Sequence, residues 1–290
     1  MTLPPARLAD ALLPWFDAHG RHDLPWQADP TPYRVWVSEV MLQQTQVDTV
    51  KPFFERFMAR FPDPAALAAA PADEVMRHWS GLGYYARARN LHRASQEIVA
   101  RHEGQLPASL AALTALPGIG RSTAGAILAL ACGQSHPILD GNVKRVLARM
   151  FLVEGPPDSS AGLRRLWNLA EAATPRKRVA AYTQAIMDLG ATVCARRNPA
   201  CERCPLATEC YARRTGRQQE IPAPRATRLR RLKQVFMLVA QRPDGSVLLE
   251  RRPDSGIWGG LWCLPEFETA AAAQHSTSAL LKPRKPRPLP

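Results

Sequence analysis

Leu116-Pro117-Gly118-Ile119-Gly120-Arg121-Ser122-Thr123-Ala124 is the stretch whose reading decides the fold. Two glycines stand between an apolar helical segment ending at Ala115 and a run of small helix formers beginning at Ser122. Glycine permits positive φ and close backbone approach. The amides of Gly118 and Gly120, with those opening the next helix, can point one way and hold a phosphate. A bare Gly-x-Gly would be an ordinary helix–helix turn. The whole segment reads as a helix-hairpin-helix, which grips a DNA backbone without reading its sequence.

Outward from this turn, residues 1–200 read as helices joined by short loops of Gly, Pro and Asp-Pro. The apolar spacing predicts helices over 8–16, 33–50, 52–60, 65–69, 72–80, 86–102, 109–115, 122–131, 143–151, 161–173 and 179–189. Thr31-Pro32 offers a cap and a first-turn proline for the second of these. No alternating strand pattern occurs in this span, so the core is expected to be all-α. Beyond Cys210, residues 212–233 are basic and contain two prolines, an expected exposed linker. Residues 234–241, the turn Arg242-Pro243-Asp244-Gly245 and residues 246–250 predict a β-hairpin. Such a hairpin is marginal by itself, and the little that follows makes the C-terminal module look incomplete. Residues 269–290 are expected to be a disordered tail, with Pro, Lys and Arg filling 282–288.

Charge points to the partner. Lys plus Arg is 38 against 25 acids, giving +13 and a pI near 10.1, an excess that suits a polyanion such as nucleic acid. The excess is concentrated at the end: residues 1–200 carry 22 bases and 17 acids, residues 201–290 carry 16 and 8. The longest clean apolar stretch, Ala124 to Cys132, is nine residues, against the roughly 20 needed to cross a bilayer. With no basic segment leading into an apolar block near Met1, the expectation is a cytoplasmic protein rather than a membrane or secreted one.

Four of the six cysteines fall in Cys194-x6-Cys201-x2-Cys204-x5-Cys210. Four thiolates so close in sequence can close around one metal centre. Spacing leaves zinc and an iron–sulfur cluster both open.

Two acids stand out. Glu39 sits in an apolar helical stretch with Trp36, Val40 and Met41 at helical spacing. Burial there would raise its pKa and suit it to give a proton near neutrality, although a flank charge paired with Arg34 is the plainer alternative. Asp140 opens Asp140-Gly-Asn142-Val-Lys-Arg and has the look of an N-cap, where the helix dipole is expected to keep it ionised. One acid pushed toward neutral and one held charged is the two-carboxylate logic of glycosidic cleavage. A polar-aromatic group completes the set: Gln43-Gln44-Thr45-Gln46, and Gly81-Leu-Gly83-Tyr84-Tyr85-Ala-Arg87-Ala-Arg89. Glutamines can bond base edges and aromatics can wedge between bases.

Together these segments closely resemble the adenine DNA glycosylases of base-excision repair, within the endonuclease III superfamily. The matching stretches are Leu24-Pro-Trp26-Gln27, 36–46, 81–90, 116–129, 138–149, Gln184-Ala-Ile-Met-Asp188-Leu-Gly190 and the four cysteines. The resemblance implies a two-lobed, all-α helix-hairpin-helix glycosylase: a six-helix barrel over 27–137 and an iron–sulfur helical domain from 1–26 with 138–211. It implies an incomplete Nudix-like segment at 234–268 and, for the cysteines, a [4Fe–4S] cluster. The implied partner is double-stranded DNA holding adenine opposite 8-oxoguanine or guanine, bound by a monomer, with the base flipped out. By position, Glu39 resembles the acid that protonates adenine N7, and Asp140 the carboxylate that stabilises the sugar cation. Tyr84 and Asn142 match positions at the reacting nucleotide, and Gln44 matches a wedge in the base stack beside Gln43. Arg21, Trp26 and Gln184 resemble residues lining the adenine pocket. Ser122 stands where lyase relatives have a Schiff-base lysine, which implies a mainly monofunctional enzyme. The short C-terminal segment, without a Nudix box, implies weaker preference for 8-oxoguanine over guanine. The alternatives are an endonuclease III-like pyrimidine glycosylase/lyase and a non-catalytic DNA-binding remnant.

Overall fold

Leu110–Ala115 (α7) and Arg121–Cys132 (α8) flank the hairpin, and Gly118 between them has φ +78°. The computed structural model describes residues 3–223, 232–253, 256 and 258–280. By contact the chain divides into two compact units, Met1–Gly83 with Arg87–Ala226, and Tyr84–Ala86 with Thr227–Pro290.

The larger unit is helical. Its helices are α1 (Leu8–His19), α2 (Pro32–Leu42), α3 (Val47–Arg60), α4 (Pro64–Ala69), α5 (Ala72–Trp79) and α6 (Ala86–Arg101), the last beginning one residue inside the other unit. After α7 and α8 come α9 (Gly141–Met150), α10 (Ser160–Ala173), α11 (Val179–Asp188) and the short α12 (Tyr211–Arg214). A π-helical turn, Leu189–Val193, extends α11. Caps set the starts: side chains of Thr31, Asp63, Ser109, Asp140 and Ser159 each accept the amide three residues on. None of the described helices is long and apolar enough to cross a membrane.

α2 packs against α8, α8 and α1 against α11, and α9 against α10, α11 and α12. Around α2, α3 and α5 the core is aromatic: Phe57 lies 4.8 Å from Phe61 and 6.0 Å, edge-on, from Trp79. A second apolar cluster joins α1 (Leu8, Leu12) to α9 (Val146, Leu147), α10 (Leu166) and α11 (Ile186).

Three expectations change. The helix expected over 33–50 is broken at residues 43–46, where Gln44 takes φ +60°; the next helix starts at Val47 and carries Pro52 inside it. The linker expected over 212–233 is structured in its first part: Ala212 and Ile221 are buried, and Arg149 donates Nε to the Ile221 carbonyl at 2.8 Å. Residues 224–231 of that linker lie outside the described residues. In the tail expected over 269–290, Ala270–Leu280 is a helix (α13), started by the Thr269 hydroxyl on the Ala272 amide at 3.1 Å. Alanine has the highest helix propensity, and the helix packs beside β1 and β4. Residues 281–290, with the Pro/Lys/Arg run, lie outside the described residues.

The smaller unit carries the expected hairpin turn, closed by Arg242 N on Ser246 O at 2.8 Å and Leu248 N on Ala240 O at 2.9 Å. Its outer ends pair elsewhere: β1 (Phe236–Met237) with β4 (Glu266–Phe267), and β2 (Glu250–Arg251) with β3 (Trp262–Cys263), both antiparallel.

Gly125 in α8 is a packing glycine. A Cβ there would stand 2.5 Å from the Pro137 carbonyl oxygen, a backbone atom that cannot swing aside. Gly125→Ala gains about 1 kcal/mol of helix propensity, yet overpacking against fixed backbone costs about 1–3 kcal/mol. Urea denaturation is expected to show the variant less stable than the parent.

Candidate active site

Glu39 lies near the end of α2, half-buried beside buried Trp36 and Val40. Its carboxyl takes no protein hydrogen bond among the described residues. Loss of solvation, and secondarily the charge of Asp140, push its pKa up to about 8. That influence places Asp140 within electrostatic reach of Glu39, although 101 positions separate them in sequence.

Asp140 caps α9 as expected: Oδ1 accepts the Val143 amide at 2.7 Å and Oδ2 the Asn142 side-chain amide at 3.3 Å. Its ionisation departs from the expectation. Burial outweighs the cap, the Arg145 charge and the Asn142 bonds, so the net shift is upward. The order of ionisation still follows from the contacts. Asp140 has amides and a guanidinium to hold its negative charge, whereas Glu39 has none, so Asp140 loses its proton first.

The surrounding backbone is locked. Ser122 Oγ accepts the Leu139 amide at 2.9 Å, tying the hairpin helix to the segment before Asp140. Arg145 Nη2 reaches Asn142 Oδ1 at 2.8 Å and the Gly190 carbonyl at 2.6 Å. A Cβ on Gly190 would fall 2.6 Å from that of Asn142, so only glycine lets α11 and α9 meet here. In the hairpin a Cβ on Gly118 would fall 2.7 Å from that of Asn90. Gly120 occupies the N-cap of α8 without a side-chain bond, which leaves the first-turn amides available to an anion.

Arg21 and Gln184 meet on Asp188. Arg21 gives its backbone amide to Oδ2 at 2.8 Å and its Nε and Nη2 to Oδ1 at 3.0 and 2.6 Å; Gln184 Nε2 reaches Oδ1 at 2.8 Å. Trp26 is buried, edge-on to Phe54 at 5.4 Å. Gln27 staples the loop between them, accepting the Leu24 amide and donating to the Arg21 carbonyl.

Gln43, Gln44 and Tyr84 depend on a different group. Buried Arg87 donates Nη1 to the carbonyls of Val40, Met41 and Gln43 at 2.9, 2.8 and 2.6 Å. Its Nη2 reaches Thr45 Oγ1 and the carbonyls of Leu82 and Gly83, each at 3.2 Å. One guanidinium thus caps the end of α2 and pins two turns. Those turns hold Gln44 (φ +60°) and Tyr84 (φ +48°), both exposed and both in the left-handed region that ordinary side chains avoid.

Cys194, Cys201, Cys204 and Cys210 are free thiols that line one cavity with Arg149 and Arg213. Burial first, then neighbouring thiolates, push Cys204 up to about 12 and raise Cys201 and Cys210. Four thiolates here therefore require a positive centre. Among the described residues no three ligating side chains converge tightly enough for a single ion. Arg149, 3% exposed, donates to the carbonyls of Ala195 and Arg196 at 2.7 and 3.1 Å and to Cys194 Sγ at 3.3 Å.

Residues 37–172 match the family model of the HhH-GPD superfamily base excision DNA repair proteins, and residues 236–287 match that of the NUDIX domain. The second match runs past residue 268, where the resemblance had placed the segment's end. An adenine DNA glycosylase of Buchnera aphidicola (subspecies Acyrthosiphon pisum) is 38% identical over 90% of this chain and 75% of its own length. That of Mus musculus is 36% identical over 93% of this chain and 62% of its own. The chain belongs to the adenine DNA glycosylase family. Among solved structures, a thermostable thymine-DNA glycosylase superposes with a TM-score of 0.66 at 26% identity, covering 73% of this chain and 97% of that one.

Within this family's fold, Arg87, Arg145, Arg149 and Asp188 organise the site and were not singled out for that work by sequence. Each acts on carbonyls or amides far along the chain, a signal that no local spacing carries.

The Glu39 shift has a measurable consequence. Unfolded, such a carboxyl ionises near 4.5; folded, near 8. Stability is therefore fully present below the lower value and is lost as pH rises toward the upper one. Glu39→Gln removes this loss. Its melting temperature relative to the parent is expected to climb between pH 5 and pH 8, by the equivalent of about 1–3 kcal/mol; a pH-independent difference would contradict the shift.

Proposed function

We propose that the chain hydrolyses the N-glycosidic bond of adenine mispaired with 8-oxoguanine or guanine in double-stranded DNA, leaving an abasic site. The observation that carries this reading is the pairing of Glu39, whose burial keeps its proton to about pH 8, with the hydrogen-bonded cap carboxylate of Asp140. Glu39 gives its proton to adenine N7 as the bond from C1′ to N9 breaks and its electrons move into the base. Asp140, ionised, faces the cationic sugar. Water then adds at C1′, and its proton returns to the Glu39 carboxylate, closing the cycle. Base release is expected to fall as pH rises through about 8, because the acid must begin protonated.

Tyr84 and Asn142 flank the reacting nucleotide, and Gln44, beside Gln43, fills the stack the base leaves. Gly118 and Gly120 seat a backbone phosphate. Arg21, Trp26 and Gln184 line the base pocket. Ser122 has no amine to attack C1′, and its hydroxyl is engaged by the Leu139 amide, which supports a monofunctional reaction. The unit is read as a barrel over 27–137 and a second helical domain of 1–26 and 138–211, acting as a monomer.

Cys194, Cys201, Cys204 and Cys210 are assigned to a [4Fe–4S] cluster. Four thiols around one cavity, with no three ligating side chains converging tightly on one point among the described residues, suit a multi-atom cluster better than a single ion. When bound, the cluster would bond all four thiolates, offset part of their charge and tie the loop together; the reaction at C1′ uses this chain's own carboxylates. Native protein is expected to be brown, with about four irons per chain. A colourless, zinc-loaded native preparation would overturn the assignment.

Single-turnover base release from duplexes with adenine opposite 8-oxoguanine, guanine or thymine tests the activity. Release is expected from the first two and not the third. Asp140→Asn is expected to keep duplex affinity and lose about 10³-fold in rate, the scale of removing one preorganised charge contact. Near-parental rates would remove Asp140 from its role.

A further inference from the structure

Asp188 ends α11 with its carboxyl 1% exposed, and four donors converge on it: the Arg21 amide, Arg21 Nε and Nη2, and Gln184 Nε2. A carboxylate only accepts. The Gln184 amide must therefore turn its NH₂ toward Asp188, and its carbonyl oxygen faces the other way. That Oε1 takes no protein hydrogen bond among the described residues, and it is not sealed inside the protein. Gln184 itself is only 8% exposed, so this oxygen is an acceptor that is largely shielded from solvent. Arg21 cannot reorient either, since two of its nitrogens and its own backbone are committed to the same carboxylate.

We propose that Asp188 is a positioning residue for base selection: by fixing the Gln184 amide, it makes the pocket present an acceptor and no donor at that point. This rests on the reading of Gln184 as part of the base pocket. Adenine carries an amino donor at C6. Hypoxanthine carries a carbonyl oxygen there, and an acceptor against an acceptor leaves both without a partner. The selection is therefore written into the orientation of one amide. A carboxylate at 188 sets it, and an amide at 188 would not, because an asparagine offers both an acceptor and a donor.

The test compares single-turnover release of adenine and of hypoxanthine, each opposite 8-oxoguanine, by the parent and by Asp188→Asn. The parent is expected to prefer adenine, and the ratio of the two rates is expected to fall about tenfold in the variant, the scale of one hydrogen bond. Equal slowing of both bases would assign Asp188 a merely structural part, and an unchanged ratio would remove it from selection; either result overturns the proposal. If Asp188→Asn does not fold, Gln184→Met decides. It removes Oε1 while leaving the Arg21–Asp188 pair in place, and it must lower the same ratio; a retained ratio overturns the proposal. Binding of duplexes whose 2′-fluorinated sugar disfavours the cationic transition state reports the adenine-to-hypoxanthine preference without catalysis. Absence of base release by the parent would then refute the glycosylase reading, while the binding ratio would still decide the role of Asp188.

Discussion

The larger unit depends on how α9 is held at its two ends. Its first turn is capped by Asp140 and pressed against Gly190, and its later turns send Arg145 and Arg149 into the carbonyls of the loop that carries the cysteines. Arg149 also reaches Ile221, so the chain beyond the cysteines is drawn back onto the same helix. A helix fixed in this way has little freedom to slide or turn. The cap carboxylate at its N-terminus and the thiol cavity beside its C-terminal half therefore sit in one rigid frame.

The buried guanidiniums of this frame share a chemical logic. Arg87 and Arg149 are matched to backbone carbonyls, whereas half-buried Arg21 meets the buried carboxylate of Asp188. Carbonyls satisfy the donors and leave the positive charge in place. Each arginine also offers its donors in a planar fork, so several carbonyls of an irregular turn can be bound at once, which a lysine could not do. Such turns cannot be stabilised by helix or sheet bonding. Gln44 and Tyr84 are tolerable in left-handed backbone because Arg87 holds the carbonyls immediately before them.

Legibility follows the range of the interaction. The helix starts at Thr31 and Asp140 could be read because a cap and its amide are three residues apart. The break after Leu42 could not, because the group that stops α2 is Arg87, 45 residues later. Residues 212–221 looked like a linker because only Ala212 and Ile221 anchor them, too sparse a pair to show a period. The two acids were legible as candidates from their settings, and the direction for Glu39 followed from its apolar neighbours. The direction for Asp140 did not, since a cap seen in sequence shows the amides and not the protein that closes over them.

That miss bears on the chemistry. Two carboxyls that share a low-dielectric site titrate as a pair, and the first proton lost makes the second harder to lose. Part of the acidity of Glu39 is therefore set by Asp140: its negative charge is the second cause of the upward shift, after burial. In the proposed reaction, the counter-charge that steadies the sugar cation also keeps the proton on the acid that must deliver it. Neutralising Asp140 would weaken the electrostatic hold on the cation and, at the same time, let Glu39 ionise at lower pH. The two roles cannot be tuned independently, and the state that acts is the pair carrying one proton, held by burial against the stability both charges would gain in water.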